Sequence, residues 1–169
     1  MRFMGSIRRL ETRDAAAFRA LRLDGLARHP EAFGASWESE AEQPLEWFGA
    51  TLKTHALFGA PDGDGLVGAA GLFMPDSPKL RNKGTLWGAY VRPDARGKEI
   101  GTALISAVID HATSRVEDLN LSVGATNTRA IRRYEAAGFK PYGLETRALK
   151  VGEQYYAEVL MILNLNQSG

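Results

Sequence analysis

The chain contains no cysteine. Disulfides, thiolate metal sites and a cysteine nucleophile are therefore excluded, and a cytoplasmic setting is expected. There is no apolar run of about 18 residues and no basic-then-apolar start of the signal-peptide kind, so no membrane association is expected. Charge is balanced, 21 Lys and Arg against 20 Asp and Glu for a net +1, which leaves no global field to attract nucleic acid. Of the three histidines, His55 and His111 have no second ligand at metal spacing, and no metal site is expected. Ser106 and Ser122 lack any visible base arrangement, which argues against a serine hydrolase. No repeat, linker or low-complexity segment interrupts the 169 residues, 44% of them hydrophobic, and a single domain over 1–169 is expected.

What is present centres on one stretch. Leu86 to Val91 is mostly apolar and aromatic, as a buried strand would be; Pro93 stops it. Ile100, Ala103, Leu104, Ala107 and Val108 then fall on one helical face. Between them, the segment from Gly97 through Lys98, Glu99, Ile100 and Gly101 to Thr102 opens a helix. Its unpaired N–H groups and the positive end of the helix dipole suit a phosphate or pyrophosphate. Arg96 and Lys98 add positive charge, and Thr102 adds a hydroxyl. An ordinary capped helix with solvated charges is the competing reading. The stretch lacks the Gly-Lys-Ser/Thr ending of a nucleotide P-loop and the third glycine of a dinucleotide fingerprint.

In chain order, Ile7 to Leu10 suits a first strand, and Thr12 or Asp14 can cap a helix that Pro30 ends. From His29 to Leu52 there is no Lys or Arg, while five glutamates lie among Phe33, Trp37, Trp47 and Phe48. A second helix is expected from about Pro44 to Lys53. His55 to Ala60 and Leu66 to Met74 read as a hairpin turned by Pro61 to Gly65. The helix opened at Gly97 runs to about Ser114, and Leu119, Leu121 and Val123 alternate as a strand. A helix from Asn127 ends at Gly138, a natural C′ residue. Phe139 to Leu149 and Tyr155 to Leu165 close the chain as a hairpin. The order is β-α-α-β-β-β-α-β-α-β-β, an α/β class.

Two blocks carry a resemblance. Arg96-Gly97-x-x-Ile100-Gly101 after Val91-x-Pro93 resembles the acetyl-CoA-binding loop of the GCN5-related N-acetyltransferase (GNAT) superfamily. Asn127-x-x-Ala130-x-x-x-Tyr134-x-x-x-Gly138-Phe139 resembles that family's second segment, and the likeness extends more loosely from Ile7 to Leu165. It implies a mixed, mostly antiparallel sheet of about seven strands flanked by about four helices. It also implies acetyl-CoA as acyl donor and direct transfer to a primary amine of a small molecule or peptide. A homodimer is a further expectation, since many relatives pair. Glu99 departs from the family, which commonly has Gly there. A positive φ at this position would cost about 1 to 2 kcal/mol and a carboxylate about 4 Å from a phosphate would be repelled by up to about 4 kcal/mol at a surface-like dielectric, so weakened rather than abolished coenzyme binding is expected.

By resemblance, Tyr134 protonates or polarises the coenzyme sulfur. A phenol is protonated at neutral pH, and packing on Ala130, Ile131 and Phe139 is the alternative role. Asn127 either caps its helix or reaches the coenzyme. The backbone of Tyr90 and Val91 would pair with the pantetheine amides, with Val91 N–H as oxyanion donor. Arg129, Arg132 and Arg133 form a basic helix turn that either meets the phosphates or is a solvated face. Leu86 to Val91 contains no Asp, Glu or His, so the general base is open among Glu31, Glu38, Glu40, His29, Tyr90 and a water chain. Collectively, Glu31, Phe33, Trp37, Glu38 and Glu40 would attract and enclose a cationic amine. Arg147 to Tyr155 would help to shape the same pocket. A non-catalytic acyl-CoA-binding module and a phosphate-anion or nucleotide binder are the alternatives.

Overall fold

The computed structural model describes residues 6–97 and 99–166. The strands are β1 (Arg8–Arg9), β2 (Ala56–Asp62), β3 (Gly65–Phe73), β4 (Lys83–Val91), β5 (Asp118–Gly124), β6 (Lys140–Val151) and β7 (Gln154–Asn164). The helices are α1 (Ala15–Arg28), α2 (Trp37–Ala41), α3 (Leu45–Thr54), α4 (Ile100–Thr113) and α5 (Thr128–Ala136). The described strands form one sheet in the order β1-β2-β3-β4-β5-β7-β6. Among the described residues β4 with β5 is its parallel pair, and the other neighbours are antiparallel. This is the mixed, mostly antiparallel α/β sheet expected, with α2 as one helix more. Ser36 accepts from Ser39 N–H at 3.2 Å to start α2, a local cap that the acidic composition obscured. Among the described residues no helix is long and apolar enough to cross a membrane.

Two apolar cores lie on opposite faces of the sheet, because side chains alternate along each strand. Ala56, Ala60, Ala70, Leu72 and Leu86 pack with Leu104, Val108 and Ala112 of α4 and with Tyr134 of α5. Leu57, Leu66 and Ala69 pack with Phe18 and Leu21 of α1 and with Phe48 and Leu52 of α3. A bulge in β4 changes the phase of that alternation. Gly71 pairs with Trp87 and Ala69 with Tyr90, so Gly88 and Ala89 together face the single residue Ala70. Gly88 takes a φ of 64° there, a conformation glycine adopts without a Cβ penalty. Leu86 therefore enters the α4 core, whereas Trp87 and Tyr90 both belong to the α1 side, and Val91 returns to the α4 side.

Two local expectations are corrected. The hairpin turn is shorter than Pro61 to Gly65, because a bulge after Ala60 keeps Pro61 and Asp62 in β2 and leaves Gly63 and Asp64 to turn. Asp14 occupies the N-cap position of α1 without bonding to its helix. Its carboxylate instead accepts from Arg8 Nη1 and Nη2 at 2.9 and 2.8 Å and from Glu11 N–H at 2.8 Å. The Arg8 hydrogen bond, supported by the Glu11 amide, outweighs burial and holds the Asp14 carboxyl at about 2 against an ordinary 3.8. A value lowered by folding gives stability that is complete above the unfolded value and lost as the pH falls through the folded one. Asp14→Asn should cost about 2 kcal/mol at neutral pH. Urea unfolding should show that difference shrinking as the pH drops from 4 towards 2.

Candidate active site

The parallel strands separate after three residues. Lys83, Gly84 and Thr85 pair with Asp118, Leu119 and Asn120. Beyond them β4 follows β3 and β5 follows β7. A cavity of about 780 Å³ opens at the divergence, lined by Leu86 to Val91 from one strand and Ser122 to Gly124 from the other. Arg92 N–H donates to Val67 C=O at 2.8 Å. Since consecutive residues alternate direction in an antiparallel pair, the N–H and C=O of Val91 point away from β3, into this gap. Val91 C=O accepts from Arg96 Nε at 3.2 Å.

The start of α4 forms one wall, with Gly97, Glu99, Ile100 and Gly101 lining the cavity. Gly97 and Glu99 hold φ of 83° and 65°. Glu99 is therefore in the left-handed conformation whose cost the sequence raised as a question. Glu99→Gly should raise stability by up to about 1 kcal/mol in thermal unfolding, with acetyl-CoA binding at least as tight by calorimetry. The absence of a side chain at Gly101 makes room for the Arg133 guanidinium, which lies against it. Arg129 and Arg133, one helical turn apart, line the cavity; Arg132 does not. Thr102 is exposed and is not part of the lining. Lys98 lies outside the described residues.

Tyr134 is positioned by the way α5 ends. Phe139 N–H donates to Tyr134 C=O and Gly138 N–H to Glu135 C=O, both at 3.0 Å, with Gly138 at φ 109°. This is the paired bonding of a Schellman cap, including its apolar contact, here the edge-on Tyr134 and Phe139 rings at 5.7 Å. Tyr134 is buried and lines the cavity. Burial pushes its phenol up to about 12, against a smaller opposing effect of the Arg133 charge. It therefore keeps its proton throughout the physiological range. Asn127 lines the cavity too, and its side chain caps α5 by accepting from Ala130 N–H at 3.2 Å.

On the remaining side, His29, Glu31 and Phe33 line the cavity from the segment after α1, opposite Gln154, Tyr155 and Tyr156 of β7. Trp37, Glu38 and Glu40 are not brought to it. Glu40 is instead buried and accepts from Arg22 Nε and Nη2, both at 2.9 Å. Arg22 in turn lies over the rings of Phe33 and Trp87 at 5.4 Å. Tyr90 lines the cavity, but its hydroxyl donates to Asp24 Oδ2 at 2.6 Å. Burial first, and then Asp24, push that phenol up to about 12. Asp24 also meets Arg28 and Arg92 at 2.8 and 3.4 Å. Sequence reasoning did not single out Gln154 and Tyr156; Arg147 to Tyr155 was expected at the pocket, but composition gave no signal for which side chains reach it.

A split sheet, a helix start on one wall of the gap and a buried phenol beside it mark an α/β protein with a ligand-sized cleft where two parallel strands diverge. The sequence profile of the acetyltransferase (GNAT) family matches residues 23–139. The chain belongs to that family. It is 36% identical over 133 residues to a mycothiol acetyltransferase from Sanguibacter keddieii, a match covering 75% of this chain and 40% of the length of that curated relative. A GNAT-family acetyltransferase from Streptococcus pneumoniae superposes with a TM-score of 0.82 at 20% identity, covering 94% of this chain and 97% of the other. A Salmonella typhimurium protein solved with its cofactor acetyl-CoA superposes with a TM-score of 0.80 at 19% identity, over 98% and 96% of the two chains.

Proposed function

We propose that the chain is an N-acetyltransferase that moves the acetyl group of acetyl-CoA directly to a primary amine of a small molecule or peptide. The observation that carries this reading is the convergence of Val91 N–H, the α4 N-terminus and Tyr134 on one cavity where β4 leaves β5. The positive end of the α4 dipole, with Arg129 and Arg133 beside it, suits the coenzyme's phosphates. The unpaired edge of β4 suits the pantetheine amides as a strand partner.

For the reaction, Val91 N–H donates to the carbonyl oxygen as negative charge gathers on it. The amine nitrogen forms the new bond to the acyl carbon and the carbon–sulfur bond breaks. Tyr134 donates its hydroxyl proton to the departing sulfur. Glu31 and Phe33 belong to the acceptor side of this reading, with His29 between them and the coenzyme loop. Trp37, Glu38 and Glu40 have no place in it. The name of the Sanguibacter relative supports an amine of a small thiol as one acceptor class. A cytoplasmic setting completes the reading.

The test is release of free coenzyme A, followed with a thiol reagent, from acetyl-CoA and a panel of primary amines that includes aminothiols, amino acids and peptide N-termini. Amine-dependent release is expected. Coenzyme binding without release from any amine would favour the acyl-CoA-binding module.

A further inference from the structure

We propose, resting on the acetyltransferase reading, that His29 is the base that takes the amine proton, and that Arg96 occupies the His29 lone pair until the coenzyme is bound. β4 supplies no carboxylate or histidine to the cavity. Of the titratable groups that line it, Tyr90 is already protonated and donating to Asp24, Tyr134 is the acid, and Glu99 lies at the start of α4 beside the phosphate donors. On the acceptor side, besides the phenols of Tyr155 and Tyr156 on β7, His29 and Glu31 remain.

Their geometry orders the two. His29 ends α1, anchored by its N–H to Gly25 C=O at 2.9 Å. Its Nε2 is 3.3 Å from Arg96 Nη2, and its Nδ1 is 3.8 Å from Glu31 Oε1. A guanidinium only donates, so Nε2 is the acceptor and the ring proton sits on Nδ1, towards the carboxylate. This is the tautomer a base needs, with a carboxylate behind to steady the imidazolium that forms. Tyr90 also faces the ring, at 6.0 Å between ring centres, while Arg28, the preceding residue, is bonded to Asp24 at 2.8 Å. Across the cavity β5 presents no charged side chain from Ser122 to Gly124, and β7 presents Tyr155, flanked by Arg147 and Lys150 of β6 at 4.4 and 5.2 Å.

Arg96 holds two acceptors at once, His29 Nε2 and Val91 C=O. Transfer needs both free, the first for the amine proton and the second for a coenzyme amide. Phosphate is a stronger partner for a guanidinium than a neutral ring or carbonyl, and Arg96 adjoins the phosphate-binding turn. Coenzyme binding therefore draws Arg96 away and exposes the base only when an acyl donor is present. His29 Nε2 then receives the amine proton as the nitrogen–carbon bond forms, while the Tyr134 proton goes to sulfur. His29 returns its proton to solvent, from which Tyr134 is reprotonated.

The experiment compares wild type with His29→Gln, which still offers Arg96 an acceptor, across a pH series at saturating acetyl-CoA. Turnover should fall about 100-fold and the acid limb of the pH–rate profile should disappear, with acetyl-CoA affinity by calorimetry unchanged. Added imidazole should restore part of the activity of His29→Ala. The His29 nitrogen signals in ¹⁵N NMR should shift when coenzyme A is added to wild type, and should not shift in Arg96→Met. An active His29→Gln within about threefold of wild type, a retained acid limb or an unrescued His29→Ala overturns the base. An NMR signal that ignores coenzyme A overturns the role of Arg96. Wild type that binds acetyl-CoA and acetylates no amine overturns the acetyltransferase reading and this inference together.

Discussion

Tyr134→Phe lowers turnover at saturating substrates by about 100-fold and leaves acetyl-CoA affinity essentially unchanged. The ring is held by the Schellman end of α5 and by Phe139, features that a phenylalanine preserves. Only the proton donor is lost. The hydroxyl, pushed up to about 12 by burial, is a donor and not a base at neutral pH, so the loss should appear in the step that releases the thiol. Single-turnover kinetics and a calorimetric titration separate the two effects. Unchanged turnover would show that Tyr134 is a packing residue.

Glu40→Ala destabilises the protein by about 3 to 5 kcal/mol, because it leaves Arg22 buried without its carboxylate. The side chains of Arg22 and Glu40 are only 12% and 7% exposed. For a chain of this size the melting temperature should fall by roughly 10 °C. Replacing both partners, Arg22→Met with Glu40→Leu, should recover much of that loss, since a buried pair is often matched by apolar groups of similar volume. A Glu40→Ala protein of normal stability but with weakened amine affinity would return Glu40 to the acceptor site.

The contrast between these two residues shows what the sequence could carry. Tyr134, Gly138 and Phe139 lie within six residues, and a helix end is specified by local backbone geometry, so the motif was legible. The start of α4 was legible for the same reason. Glu40 read as one of five similar glutamates because its partner lies on α1, 18 residues earlier. His29 and Arg96, 67 residues apart, are joined only by the fold. The gap between β4 and β5 is likewise a matter of pairing between strands, and neither strand's own pattern encodes where pairing stops. The bulge at Gly88 left its trace only as a glycine in an apolar run, yet it decides that Tyr90 faces α1 and Val91 the α4 side.

The central claim is that the split between β4 and β5 holds an acyl-coenzyme A. Calorimetric titration of the protein with acetyl-CoA, with ATP as the control nucleotide, tests it most directly. Micromolar binding of acetyl-CoA, and none of ATP under the same conditions, is the predicted result. Equal affinity for both would reduce the α4 start to a general phosphate site, and no binding of acetyl-CoA by either the wild type or Glu99→Gly would contradict the account.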